Sequence, residues 1–496
     1  METPRKSLSL VLSVALAATL LPAEPKSVDP KIQEMIGKVS EDRIKAILEK
    51  LESFGTRNTM SNPDDPVHGV GAARTWILNE MKSYSPRLQV TFDKYRVKKQ
   101  GQRIFKDVDL WNVVAVLPGT KHPETQVLVS GHYDSLNLGN RPAGQAAGPG
   151  TDAAPGGGGG GFAGSQTANM TPADFEKAAN LSAPGVCDDG SGTSAVMELA
   201  RVMSQYEFEK TLVFVAFAGE EQGLIGSSLF AAKAHKEALV IEAVLNNDII
   251  GTDVAGNGRT GNNAVAIYSD ETMDSISQQL SRYTKEVGER YLPSLKVNTI
   301  FMGDRLGRGG DHTPFQWEGF AAVRVSTPNE IYANQHRATD TLANMSVPYT
   351  TKVARLNLAV AASIANAPKP PVVMPEPRAN QNANANAPAR TGATGTPARR
   401  PGPMIARGGG YDAVLRWRTV GGDGDIKGYS VMIRGTTSPY WEQEIYVGKV
   451  NSYTLKDVSI DELKFGIKAI GNNGSESLVT AYVYPPRQHT EIETVQ

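Results

Sequence analysis

The chain has 496 residues, 40% hydrophobic and 21% charged, with a net charge of −1 and a single cysteine, Cys187. The length exceeds one ordinary domain. The near-neutral charge excludes a global pull toward nucleic acid or an anionic membrane, and the lone thiol excludes an intrachain disulfide.

In chain order, Arg5 and Lys6 precede an apolar run from Leu8 to Leu21, with small residues at Ala15, Ala17 and Ala23. This reads as an export signal over 1–23. It implies a secreted or periplasmic protein, with no stable membrane insertion once the signal is removed. Lys31 to Leu51 has helical spacing, with Ile32, Met35, Ile36, Ile44, Ile47 and Leu48 apolar. Gly71 to Met81 reads as a second helix. Apolar strands then alternate with helices: 111–117, 126–130, 211–217, 243–246 and 321–326, with a helix at 194–203. Such runs predict an α/β fold over 27–366, with a mostly parallel central sheet covered by helices on both faces.

Two segments break the pattern. Residues 139–183 are rich in Gly and Ala, read as a mobile insertion; 367–410, rich in Pro, Asn and Ala, read as a flexible linker. Alternating strands follow over 411–487 and predict a small all-β sandwich. Trp417, "GYSVMIR" and "FGIKAIGNNGSES" make it resemble a fibronectin type III domain. With no catalytic cluster, this domain is expected to bind a surface, a polysaccharide or a protein.

The strand ends carry the chemistry. The second strand runs into His132-Tyr133-Asp134, and Asp188-Asp189 opens the helix after the insertion. The third strand runs into Glu220-Glu221 and the fourth into Asp248; the fifth leads to His336. Ligands of open α/β sheets bind beyond the carboxyl ends of the strands. Histidines and carboxylates converging there suggest a metal site. The crowded carboxylates also need cations or protons to offset their repulsion.

Here "SGHYDS", "CDDGSG", "AGEEQGLIGS", "NNDIIG", "GDHTPF" and a final His with "TDT" occur in order. Together they resemble the M28 zinc aminopeptidases, which are co-catalytic di-zinc exopeptidases. The resemblance runs from about "SFGTRN" at Ser53 to Met345. It implies two zinc ions per chain. His132, Asp188 and Asp248 would hold one, and Asp188, Glu221 and His336 the other, with Asp188 bridging. Glu220 would be the general base that takes a proton from a metal-bridged hydroxide's parent water. Asp134 would fix the His132 tautomer, Asp189 would serve the turn, and a cis peptide would follow Asp188.

His312 and Arg308 are further candidates for contact with substrate. Cys187 reads as a packed bystander, since no histidine in the local sequence is placed to activate it. The substrate would be a peptide or protein. The sequence leaves open a carboxypeptidase or dipeptidase of the same fold. A catalytically silent adhesion protein is the reading from a different class, disfavoured by an intact ligand set.

Overall fold

The computed structural model describes residues 28–138, 170–306, 308–375, 406–407 and 412–483. The expected signal at 1–23 and residues 139–169 of the expected insertion lie outside this set. Among the described residues no helix is long and apolar enough to cross a membrane.

The N-terminal helical stretch forms two helices rather than one, α1 (Pro30–Gly37) and α2 (Glu41–Ser53). The break has a local cause. The Ser40 side chain accepts the Arg43 amide as an N-cap, and its own amide donates 2.8 Å to the Glu198 carboxylate. Both helices bury their apolar stripe in the same core, so the spacing runs on through the break. Helix α3 spans Gly69–Tyr84.

Eight strands form the central sheet: β1 (Gln89–Val97), β2 (Val108–Leu117), β3 (His122–His132), β4 (Lys210–Phe217), β5 (Val240–Asn247), β6 (Ala264–Tyr268), β7 (Lys296–Ile300) and β8 (Ala322–Ser326). Their order is β1-β2-β4-β3-β5-β8-β6-β7. The middle strands β4, β3, β5 and β8 run parallel. β2 joins β4 and β6 joins β8 in antiparallel fashion, so the edges of the sheet are mixed. The remaining helices are α4 (Pro172–Ala178), α5 (Ser191–Met203), α6 (Ile225–Lys236), α7 (Ile276–Tyr291), α8 (His312–Trp317) and α9 (Val347–Ala365).

The sheet is covered on both faces. Val127 and Val129 of β3 join one apolar cluster, while Leu128 between them joins another with Phe217 and Phe315. Alternation along a strand sends neighbours to opposite faces, which is why the middle strands read as unbroken apolar runs. The expected mobile insertion is ordered at its end. Helix α4 has a capping box between Thr171 and Asp174 and buries Phe175, the local signal that the Gly-rich composition of the segment masked.

The C-terminal part is all-β. Strands β9 (Val372–Val373), β10 (Ala406–Arg407), β11 (Ala413–Arg418) and β14 (Ser452–Leu455) make one sheet. Strands β12 (Ile426–Gly435), β13 (Gln443–Gly448), β15 (Leu463–Gly471) and β16 (Thr480–Ala481) make the other. Trp417, Tyr429 and Phe465 lie in their shared core, with the Trp417 and Tyr429 rings 5.6 Å apart. The start of the expected linker belongs to this unit. Val373 pairs with Trp417 and Val372 with Arg418, so the sheet draws a strand from before residue 376.

Helix α5 approaches β3 closely because glycines face each other there. A Cβ on Gly192 would stand 2.3 Å from Asp189 Oδ2 and 2.4 Å from the Asn247 carbonyl. Gly192→Ala must therefore push α5 off the sheet. The expected loss is about 3 kcal/mol, measured by denaturant unfolding.

Candidate metal centre

All the candidate side chains but His336 sit where a parallel strand ends or the next helix begins. His132 is the last residue of β3. Asp188 and Asp189 lie in a tight turn, Val186–Gly190, that leads into α5; their peptide bond is cis. Glu220 and Glu221 follow β4, Asp248 follows β5, and His336 lies in the loop beyond β8.

These residues meet in one crevice. The two oxygens of Asp188 face different imidazoles: Oδ1 is 3.3 Å from His132 Nε2, and Oδ2 is 3.3 Å from His336 Nε2. His336 Nε2 is also 3.1 Å from Glu221 Oε2, and His132 Nε2 is 4.0 Å from Asp248 Oδ1. His132, Asp188 and Glu221 can bring three ligand atoms within 4.8 Å of one another, as can His132, Glu220 and Asp248. Glu220 therefore stands closer to the ligand groups than a base set apart from them.

Two tests show that these residues suit a cation. Nε2 of His132 and Oε1 of Glu221 are buried without a hydrogen-bond partner, an arrangement that needs a reason in a folded protein. The charges point the same way. Counting only the protein's own groups, burial opposes an imidazolium at His336, yet Glu221 and Asp188 hold its pKa up at about 10. Burial raises the Glu220 carboxyl well above its usual range; His132 opposes this, and Glu221 and Asp248 add to it. Both shifts keep protons among the crowded carboxylates, and divalent cations can take the place of those protons. The donor set of imidazole and carboxylate suits zinc.

The comparisons agree with this chemistry. Peptidase family M28 matches residues 112–361. A Pyricularia oryzae protein described as a probable zinc metalloprotease is 34% identical, over 91% of this chain and 84% of its own length. The chain belongs to peptidase family M28. A probable zinc metalloprotease of Leptosphaeria maculans is 30% identical, over 92% of this chain and 97% of its own. The solved LapA aminopeptidase of Legionella pneumophila is 17% identical, with 73% of this chain and 80% of that chain covered and a TM-score of 0.48. As an M28 member the chain is a zinc peptidase, and its substrates are peptides or proteins.

In this M28 chain the supporting residues are tied mainly to backbone. His132 Nδ1 lies 3.2 Å from the main-chain oxygen of Asp134, an acceptor that keeps the proton on Nδ1 and frees Nε2. The Asp134 carboxylate, expected at the imidazole, is 3.6 Å away and instead accepts the Glu220 and Glu221 amides, each at 3.3 Å. Asp189 accepts amides from His132, Gly192 and Ile249, so it joins β3, α5 and the end of β5.

Two other expectations shift. His312 is fully buried, with Nε2 2.6 Å from the Gly303 carbonyl, so it braces a loop and does not line the pocket. Arg308 does line the pocket, but its Nη1 is directed to Gln335 Oε1 at 3.2 Å, with Glu330 at 3.5 Å. Cys187 is buried, and its sulfur packs close to Gly251. Burial, then Asp340 and Asp188, raise the thiol pKa well above its ordinary value, the reverse of an activated nucleophile.

Four residues escaped the sequence reading. Arg57 is fully buried and donates to the carbonyls of Leu51, Tyr133, Pro184 and Gly185, clamping three segments behind the turn. Asp340 accepts the amides of Cys187 and Asp188 at 2.8 and 3.0 Å. Arg324 on β8 reaches Asp248 Oδ1 at 3.1 Å and forks onto Asp304 at 2.7 and 2.9 Å. Asp311 is buried with both oxygens unpartnered, and burial pushes its pKa up to about 7. Arg57, Asp311 and Asp340 sit inside quoted motifs, "SFGTRN", "GDHTPF" and "TDT", without a role assigned to them. Arg324 had its own signal, a lone charge in an apolar strand.

Asp340→Ala leaves two buried amides without an acceptor beneath the Asp188 turn. The expected result is about 2–4 kcal/mol of lost stability and zinc affinity lower by roughly 10- to 100-fold, read by calorimetry and chelator competition. Cys187→Ser should leave zinc content and peptide turnover within about two-fold of the parent, since the thiol serves only packing.

Proposed function

We propose that the protein is an exported di-zinc aminopeptidase that removes N-terminal residues from peptides. The observation that carries this reading is Asp188, with one oxygen turned to each of two imidazoles. One carboxylate placed between two such half-sites suits a bridging role. His132 and Asp248 would complete one half, and His336 and Glu221 the other. When bound, the metals supply Lewis-acid polarisation of the scissile carbonyl and a water acidic enough to act at neutral pH.

The chain's own groups do the rest. Glu220 is partly exposed on the pocket lining, next to the ligand Glu221. Its place on the lining beside Glu221 suits a group that takes a proton from water and returns it to the leaving amine. Asp134 fixes the direction of Glu220 through the backbone, which lets two adjacent glutamates serve different roles.

The hydrogen bonding of the pocket wall favours a free amino terminus over a carboxyl terminus, because the arginines that could anchor a carboxylate already have protein partners. Three arginines line it, and all three are engaged by the protein. Arg305 forks onto Glu330 at 2.7 and 2.8 Å, Arg308 binds Gln335, and Arg103 donates to the Glu221 carbonyl at 2.6 Å. Export rests on the apolar, basic-led segment at 1–23.

Metal analysis with a panel of free and N-acetylated peptides tests the reading. Two zinc ions per chain are expected, with loss of activity on chelation, recovery on adding zinc, and cleavage of free peptides alone. Equal cleavage of acetylated peptides would sink the aminopeptidase assignment. Glu220→Gln should keep its zinc and lose turnover by about 10²- to 10⁴-fold; full activity in that variant removes Glu220 from the role.

A further inference from the structure

Among its described residues the all-β unit shows no catalytic cluster, and its sequence suggests a module hung on a tether. The contacts say otherwise. Arg434 of β12 forks onto Asp274 at 2.7 and 2.8 Å, and both side chains are almost fully buried. Asp274 belongs to the peptidase domain, just before α7, and Arg282 on that helix approaches the same carboxylate at 3.2 Å. Arg282 Nε donates 2.7 Å to the Pro439 carbonyl, and Trp441 Nε1 donates 3.1 Å to Gln279. Leu478 of the β unit is buried in the main apolar cluster of the peptidase domain.

The place where this contact falls is informative. Tyr440 OH and Thr299 Oγ1, near the end of β7, are 2.9 Å apart. The Arg282 guanidinium stacks 4.8 Å from the ring of Phe301, the first residue after β7. From Phe301 the chain runs directly to the pocket. The Gly303 amide binds Glu271 at 2.8 Å and its carbonyl meets His312. Asp304 holds Arg324, which reaches Asp248. Arg305, Arg308 and Gly309 then form a wall of the pocket. The β unit thus grips the root of the segment whose next residues line the pocket.

We propose that the C-terminal β unit positions the substrate-pocket wall, with Arg434 and Tyr440 as its positioning residues. Arg434 acts through Asp274 and Arg282 on Phe301, and Tyr440 acts through Thr299. Neither touches the substrate or a candidate metal ligand. Loosening the root shifts the pocket wall formed by Arg305, Arg308 and Gly309. His132, Asp188 and Glu221 rest on other elements and stay in place, and Asp248 keeps its own amide bond to the Val325 carbonyl on β8. The effect therefore falls on substrate binding more than on the chemical step.

The inference rests on the reading of this pocket as the substrate site, and the two fail differently. A wild-type enzyme that also cuts N-acetylated peptides overturns the aminopeptidase assignment, yet the comparison of variants still runs on any peptide that is cut. The experiment uses full-length Arg434→Met and Tyr440→Phe proteins, with zinc content, melting temperature, kcat and KM measured on one peptide. Arg434→Met should raise KM roughly five-fold, and Tyr440→Phe about two- to three-fold, with kcat within about two-fold and zinc at the wild-type level. A lowered melting temperature with unchanged KM overturns the proposal, because that is the mark of a mere tether. Zinc loss in a folded variant also overturns it. Tyr440→Phe removes one hydroxyl, so it decides the matter alone if Arg434→Met does not fold.

Discussion

Everything around the crevice answers to one electrostatic constraint. Asp188, Glu220, Glu221 and Asp248 share its lining with His336, and Asp188 stands within 3.3 Å of two imidazoles. Carboxylates this close repel one another, and burial strengthens the repulsion by removing water. Cations can neutralise the group, and they bind more tightly when the oxygens are already held in position. The scaffold must therefore restrain negative charges against their own field before any metal arrives.

It does so largely with main-chain hydrogen bonds. Asp189 gathers amides from the ends of β3 and β5 and the start of α5, Asp134 those of Glu220 and Glu221, and Asp340 those of Cys187 and Asp188. Arg57 does the converse and collects carbonyls. In each case a side chain from one segment fixes the backbone of another. A sheet edge built this way cannot move one ligand alone, so metal affinity and local packing are two readings of the same bonds. The glycines at 131 and 192 belong to this scheme, since they let α5 come close enough for Asp189 to span the gap.

How much of this was legible in the sequence depends on how local each signal is. The middle strands were plain, because burial on both faces leaves continuous apolar runs. The candidate ligands stood out because each follows such a run. Strand β1, QVTFDKYRV, was missed because it is a half-exposed edge strand with charges along its length. The split between α1 and α2 was missed because hydrophobic spacing ignores a single capping serine. Helix α4 and strand β9 were hidden by Gly-rich and Pro-rich neighbours, since composition averaged over a segment erases a seven-residue helix and a two-residue strand. Asp134 was expected to hold the His132 imidazole with its carboxylate, but that carboxylate accepts amides 86 and 87 residues away. No spacing rule reaches that far.

The same reasoning bears on how the two units of the chain behave together. A domain joined by a flexible linker and a thin polar interface is expected to move. Here the interface holds a carboxylate between two guanidinium groups, drawn from both units and nearly dry. Such a group adds little net stability compared with an apolar contact of the same size, because desolvation offsets most of the attraction. Breaking it is another matter, since separation has to rehydrate three charges or strand one of them. The group is therefore a poor glue and a good latch: it penalises every arrangement except the one in which all three charges meet. With Leu478 packed in the peptidase core, the latch makes the β unit part of the body on which β7 ends. The loop after β7 leaves that body at Phe301 and turns back to Arg324, Asp248 and the pocket. The chain thus carries a line of charged and aromatic contacts, continued by the backbone from Phe301 to Asp304, from the second unit to the candidate ligand Asp248.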